Sequence, residues 1–384
     1  MRRYFIKTYG CQMNVADSEA LTKVLESAGY QAADNEKQAD ILLVNTCVVR
    51  QNAEDKAAWY ITSAKGLKAE KPNLKIILCG CLAAEPGRDI KKQFPHVDAF
   101  IPPNQPERLV EFLRLQPSPP TPLPEGEGRK REASQQTENR GEGIGITKYI
   151  TIMHGCDNFC SYCIVPYVRG REYSRPMDEV LSEIKTLVEQ GITNITLLGQ
   201  NVNSYKYGLA NLLREIENLF PFSLARGQRE RGLGGEGLIS FLTSHPRDMS
   251  DEIIKAVAEL PYVAKDFVMP LQSGDNEILK KMNRGYNLEH YLGRVKKIRS
   301  TIPQARISTD IIVGFPGETE EQFENTLRAI EKIKFNDVHM FAYSARPAVT
   351  AAKLPDPLPE TVKQARLQKL IQVVRENLLC YNAG

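Results

Sequence analysis

The sequence predicts an α/β protein with an open parallel sheet first and a partial α/β barrel of six repeats after it. Three observations predict it. Short apolar, strand-like runs alternate with amphipathic helical patterns through most of the chain. Two stretches rich in Pro, Gly and charge interrupt that alternation. Cysteines follow directly on several predicted strands, where the ligand sites of parallel sheets collect.

In the first hundred residues, YFIKTY (4–9), DILLVN (40–45) and LKIILC (74–79) read as strands. DSEALTKVLESAG (17–29) reads as a helix capped by Asp17 or Ser18, with Leu21, Val24, Leu25 and Ala28 on one face. Residues 52–70 read as a second helix. PSPPTPLPEGEGRKREASQQTENRGEGIG (117–145) buries too little apolar surface to order itself, so a linker is expected over 116–146. From Lys148 strands are expected at 148–153, 194–198, 239–243, 266–270, 306–312 and 337–342. Helices are expected at 177–190, 209–219, 250–259, 287–300 and 318–333, and a last one at 359–379. SLARGQRERGLGGEG (223–237) reads as an exposed, solvated insert whose basic residues could touch RNA. The expected division is therefore 1–115, a linker at 116–146, a barrel over 147–350 and a helical extension over 351–384.

At 384 residues, 42% hydrophobic and 25% charged, the chain can bury a sizeable core. A formal net charge of +3 is compatible with nucleic acid but does not predict it. No run of 18 apolar residues offers a membrane span, and the first residues turn polar too soon for a secretory signal. A cytoplasmic protein with no membrane partner is expected.

Eight cysteines occur, and a chain this long needs no disulfide scaffold. Cys79 and Cys380 read as small buried hydrophobes. Cys156, Cys160 and Cys163 form CxxxCxxC directly after the strand at 148–153. Three thiolates on one loop can hold an iron–sulfur cluster and leave one iron open. Zinc and buried thiols are the alternatives, but a zinc site wants a fourth ligand and no second CxxC or His pair follows. Cys11, Cys47 and Cys81 each follow a different predicted strand. A parallel sheet would bring them to one edge, although loop cysteines also occur without a role.

Other strand-end residues carry weaker signals. Gln200, Asn201, Gln272, Ser273, Asp310 and Gly314 are candidates for cofactor contacts, or they cap helices and hold turns. Arg169 and Arg171 fit a phosphate or a carboxylate, and equally a structural ion pair. His245 reads as a hydrogen-bonded structural histidine. Tyr162 adjoins Cys163 and could cover whatever the cysteines hold.

The CxxxCxxC triplet at the end of the first barrel strand resembles that of radical S-adenosylmethionine (SAM) enzymes. The resemblance implies that Cys156, Cys160 and Cys163 bind a 4Fe–4S cluster whose open iron chelates SAM, and that reductive cleavage of SAM yields a 5′-deoxyadenosyl radical. It implies SAM or adenine contacts for the strand-end residues above. TYGCQMN, NTCVVR and GCLA resemble the three cysteine motifs of the methylthiotransferase amino-terminal domain. That implies a second, auxiliary 4Fe–4S cluster on Cys11, Cys47 and Cys81. GCDNFCSYCIVPYVRGREYSRP (155–176), LLGQNVNSY (197–205), TSHP (243–246), PLQSGDNEILKKMNRGY (270–286), STDIIVGFPGET (308–319) and SARP (344–347) resemble the bacterial MiaB-type tRNA methylthiotransferases. The implied reaction is methylthiolation of carbon 2 of isopentenyladenosine beside the anticodon. It implies a tRNA anticodon stem-loop as substrate, an external electron donor and a sulfur source, with a monomer expected. Ribosomal-protein aspartate methylthiotransfer and an iron–sulfur, tRNA-binding remnant without turnover are the alternatives. MiaB-type enzymes end in a small β-barrel, the TRAM domain. The sequence stops at ENLLCYNAG, so that domain is expected to be absent, with a cost in tRNA affinity.

Overall fold

The structure, a computed structural model, describes residues 2–114, 147–192, 194–220, 239–355 and 358–382, with side chains as far as Asn377. The expected linker at 116–146 and insert at 223–237 lie outside the described residues.

The first part runs β1 (Arg3–Thr8), α1 (Gln12–Ser27), β2 (Gln31–Ala32), β3 (Ile41–Thr46), α2 (Gln51–Glu70), β4 (Lys75–Gly80), α3 (Ile90–Gln93), β5 (Ala99–Ile101) and α4 (Glu107–Arg114). All five strands are parallel, in the order β2-β1-β3-β4-β5. Strand order reverses between β1 and β3, and ligands bind at the carboxyl ends of strands beside such a switch point. Every residue of the central β3 is buried: Ile41 to Val44 as an apolar run, Asn45 and Thr46 with their side chains hydrogen-bonded to Asn14 O and Cys79 O. The short β2, β5 and α3 are too brief to show a period; α4, with Leu109 and Leu113 buried on one face, is an amphipathic helix outside the expected ones. α1 begins five residues earlier than the expected cap at Asp17 or Ser18: Cys11 occupies the cap position and its N–H donates to Asn14 Oδ1 at 3.2 Å. Ser18 lies inside the helix instead, where its hydroxyl accepts from Asn45 Nδ2 at 2.9 Å.

The second part runs β6 (Thr147–Thr151), β7 (Met153–His154), α5 (Val165–Arg169), β8 (Tyr173–Ser174), α6 (Met177–Glu189), β9 (Asn194–Leu198), α7 (Leu209–Asn218), β10 (Ile239–Phe241) and α8 (Asp251–Glu259). It continues with β11 (Asp266–Val268), α9 (Asn276–Lys281), α10 (Leu288–Thr301), β12 (Arg306–Val313), α11 (Glu320–Ile333), β13 (Asp337–Ala342) and α12 (Glu360–Asn382). Two parallel three-stranded sheets, β10-β9-β6 and β11-β12-β13, form the expected six-strand arc. They join through Ala264 N–H to Ile239 O at 2.8 Å and Ser244 N–H to Val268 O at 3.2 Å. The expected strand at 148–153 divides at Ile152, because β7 leaves the sheet to pair antiparallel with β8. β10 and β11 are shorter than expected; β11 stops two residues before Pro270, which cannot donate to a ladder.

Alternation along the strands sorts the core. Leu43, Ile77 and Cys79 pack under Leu21 and Leu25 of α1. Leu42, Val44 and Leu78 face the other way, into a cluster that also holds Ile164, Ile278, Met282, Phe315 and Tyr343 of the second part. The two parts therefore share one apolar core, and α1 packs on β6.

Candidate active site

The first cysteine set gathers at the carboxyl edge of β1, β3 and β4. Cys11 ends the turn after β1, Cys47 follows β3 and Cys81 follows β4. Cys47 and Cys81 are buried and Cys11 half-buried. Cys11 Sγ donates to Asn14 Oδ1 at 3.5 Å, and Cys47 Sγ accepts from Val49 N–H at 3.4 Å. The neighbouring Cys47 thiol, aided by Arg169 and Asn14, pulls the Cys11 pKa down to about 6, and Cys11 with burial pushes that of Cys47 up. Burial raises the Cys81 pKa while the nearby positive charge of Arg169 opposes it. Gly10 makes room for this edge: at its φ of +145°, a Cβ would lie 2.7 Å from Cys47 Cβ. Cys79, inside β4, packs with Leu43 and Ile77 under α1 and is core, whereas Cys81, in the turn beyond the strand, joins the cluster on the other side.

The second set lies between β7 and α5. Cys156 and Cys160 are buried, Cys163 is half-buried, and burial pushes the Cys163 pKa up to about 12. The loop is fixed along its length. Cys156 N–H donates to Gly170 O at 3.2 Å and Ser161 N–H to Met282 O at 3.0 Å. Asn283 Nδ2 donates to Phe159 O at 3.0 Å and Arg284 Nη1 to Cys160 Sγ at 3.2 Å.

Arg169 and Arg171 part company. Arg171 is exposed and pairs with Asp157 at 2.8 Å. Arg169, buried in α5, reaches back to Asp17 of α1 at 2.6 Å and stands over Cys81. The helix that follows the second cysteine set thus delivers its arginine to the first.

Buried polar atoms without a protein partner collect at the carboxyl ends of β7, β9, β10 and β11: His154 Nδ1, Gln200 Oε1, Asn203 Oδ1, Ser244 Oγ, His245 Nε2 and Gln272 Oε1. Burying such atoms unpaired is costly, so a polar ligand is what this pocket lacks. Gln200 and Gln272 are the strand-end candidates with an atom to offer. The others have protein partners. Asn201 donates to Asp248 at 2.7 Å and accepts from His245 N–H at 3.0 Å. Ser273 accepts from Asp275 N–H at 3.2 Å. Asp310 pairs with His339 at 3.4 Å and holds its pKa up. Gly314, at φ +73°, gives its N–H to Glu318 at 2.7 Å and leaves room for Lys363. Tyr162 accepts from Arg284 at 3.3 Å. Arg284, His154, Asn203 and Ser244 carry no signal of their own in the sequence. Only their position in or beside the quoted motifs pointed to them.

Among the described residues, no group of three or more His, Cys, Asp and Glu is arranged to hold a single metal ion. Thiolates on separate corners of an iron–sulfur cluster stand farther apart than ligands on one ion. The donor chemistry fits such a cluster: six free thiols in two groups of three, each beside a buried arginine. The unpartnered oxygens and nitrogens nearby fit a polar cofactor such as SAM.

Fold and donor set define the class of a radical SAM protein. The family model described as the radical SAM superfamily matches residues 150–330, and that of uncharacterized protein family UPF0004 matches residues 3–102. A solved radical S-adenosylmethionine methyltransferase, TsrM from Kitasatospora setae, with cobalamin and a 4Fe–4S cluster bound, superposes with a TM-score of 0.62. It covers 92% of this chain and 74% of that one at 16% identity, a likeness of fold alone. Among curated proteins, the tRNA-2-methylthio-N(6)-dimethylallyladenosine synthase of Syntrophotalea carbinolica is 39% identical over 98% of this chain and 84% of its own length. That of Clostridium novyi is 43% identical over 98% of this chain and 81% of its own. The chain belongs to the tRNA-2-methylthio-N(6)-dimethylallyladenosine synthase family. It is a transferase of the radical SAM class, which works with a 4Fe–4S cluster and SAM.

Proposed function

We propose that this protein adds a methylthio group to carbon 2 of N(6)-dimethylallyladenosine beside the anticodon of tRNA. The observation that carries it is the pair of three-thiol sets on one shared core, tied together by Arg169. The names of the curated relatives support the same reading. Cys156, Cys160 and Cys163 would hold the cluster that binds SAM, and Cys11, Cys47 and Cys81 a second, auxiliary cluster. Bound there, the groups supply radical chemistry for an unactivated aromatic C–H bond and a place for the sulfur to be inserted.

The chain's own residues position and shield. Gln200 and Gln272 offer unpartnered side-chain oxygens to SAM. Burial, with help from Arg284 and Arg247, keeps His245 uncharged, so it adds no third cation to the pocket. Ile164, Ile278, Met282 and Phe315 are buried in the same apolar cluster as Cys81. The reading includes a tRNA anticodon stem-loop as substrate, an external electron donor and sulfur source, and a monomer working in the cytoplasm. No helix among the described residues is long and apolar enough to cross a membrane. It also divides the chain into 1–115 for the auxiliary set and 147–350 for the SAM set.

Nucleoside mass spectrometry of tRNA from a deletion strain carrying this gene tests the reaction. The methylthio nucleoside should return. Its failure to return while a ribosomal protein gains the mark would overturn the tRNA assignment. Anaerobic reconstitution should load about eight irons, the sum for two 4Fe–4S clusters. Loading of about four would remove the auxiliary cluster.

A further inference from the structure

Arg284 is 4% exposed and surrounded by neutral groups and sulfur. Nη1 donates to Cys160 Sγ at 3.2 Å and to Tyr162 Oη at 3.3 Å. Nη2 donates to Pro270 O at 2.9 Å and Nε to Tyr286 Oη at 3.1 Å. The guanidinium also lies 5.3 Å from the centre of the Tyr286 ring. Among the described residues no carboxylate comes within ion-pair distance of it, and the charged side chain closest in kind, Arg247, repels it. Arginine does not lose its proton in a protein, and a buried cation without a counter-charge is costly. Hydrogen bonds to carbonyls and hydroxyls satisfy its geometry but not its charge. Among its hydrogen-bond partners in the described residues, Cys160 is the one that becomes an anion as a metal ligand.

We propose that Arg284 is a positioning and charge-compensating residue for Cys160, holding that thiolate in place and favouring the more negative, one-electron-reduced state of the site. This rests on the reading that Cys156, Cys160 and Cys163 hold a cluster. One electron enters from a low-potential one-electron donor, and no bond forms or breaks. The added negative charge faces a fixed guanidinium in a low-dielectric setting, where it is stabilised most. Hydrogen bonds to ligand sulfur and local net charge are the levers by which a protein sets such a potential. Arg284 therefore raises the potential and eases delivery of the electron.

The test is a redox titration followed by EPR on the full chain. A C11A, C47A and C81A background isolates the signal of the second cysteine set. In that background Arg284→Gln should keep its iron and lower the midpoint. The expected shift is about tenfold in the reduction equilibrium, about 59 mV for one electron. Arg284→Lys, which keeps the charge, should recover most of it. An unchanged midpoint in a fully loaded R284Q protein overturns the proposal and leaves Arg284 a strut for the Pro270 turn. Should R284Q fail to fold, the unsubstituted arginine decides. Protein labelled with 15N in its arginine guanidinium groups should show a 15N hyperfine coupling to the reduced site. Absence of that coupling overturns the proposal. Failure of the underlying reading has a separate signature: the C11A, C47A and C81A protein would bind no iron at all, whatever stands at 284.

Discussion

His245 sits just past β10 at 4% exposure, and burial, reinforced by Arg284 and Arg247, pushes its pKa down to about 2. Its Nδ1 accepts from Arg247 N–H at 3.3 Å, which assigns the ring proton to Nε2. The unfolded chain takes up a proton on this ring near pH 6.5, whereas the folded protein does not until far lower. The stability tied to His245 is thus fully present above pH 6.5 and falls as pH drops from 6.5 toward 2. His245→Asn keeps an acceptor for Arg247 N–H and removes the titration. Denaturation midpoints measured from pH 7 to pH 4 should fall less steeply in H245N than in the parent. Equal slopes would show that another group dominates. Arg169 and Arg171 make the same point about context. Two residues apart in sequence, one is sealed against Asp17 and Cys81 and the other lies in solvent with Asp157.

The element that carries the second cysteine set is a loop closed at its base by the β7–β8 pair. Gly155 starts it at φ +68°, and a Cβ there would lie 2.1 Å from Arg171 O. Gly155→Ala should therefore cost more than the roughly 1–2 kcal/mol of left-handed backbone strain alone, because a carbonyl must also move. Thermal unfolding should show the loss, and iron bound after reconstitution should drop with it. Parental iron content in G155A would mean that the loop tolerates the shift. The CxxxCxxC spacing made this loop visible in sequence. Its β7–β8 clasp was not visible, since two-residue strands carry no periodicity. The early start of α1 was hidden for a similar reason. Cys11 is a poor cap by residue type, and Asn14 makes it one by closing back on its N–H.

At the scale of the molecule, the two parts are locked as well as packed. Buried Glu54 of α2 pairs with Arg346, which follows β13, and also with Arg88. Glu54→Met leaves Arg346 buried without that counter-charge and should cost about 3–5 kcal/mol. E54M/R346M should recover most of the loss, since a buried ion pair replaced as a whole by apolar groups is often neutral. Chemical denaturation of the single and double variants measures this. A double variant as unstable as E54M would show that Glu54 acts through Arg88 instead.

The sequence by itself determined the strand–helix alternation, the positions of the six barrel strands and the triplet Cys156, Cys160 and Cys163. Those features are local: a period of two or of 3.6 residues, or a spacing of four and three along one loop. Only the tertiary structure decided that the Cys11 and Cys47 thiols shift each other's pKa, that Arg169 crosses to the other cysteine set, and that Arg284 meets Cys160 from 124 residues away. It also separated Gln200 and Gln272, which keep a free atom, from Asn201 and Ser273, which do not. Such contacts depend on which strand lies beside which and on what fills the shared core. No local pattern encodes that, because the counter-charge of a buried arginine is chosen by packing and not by its neighbours in the chain.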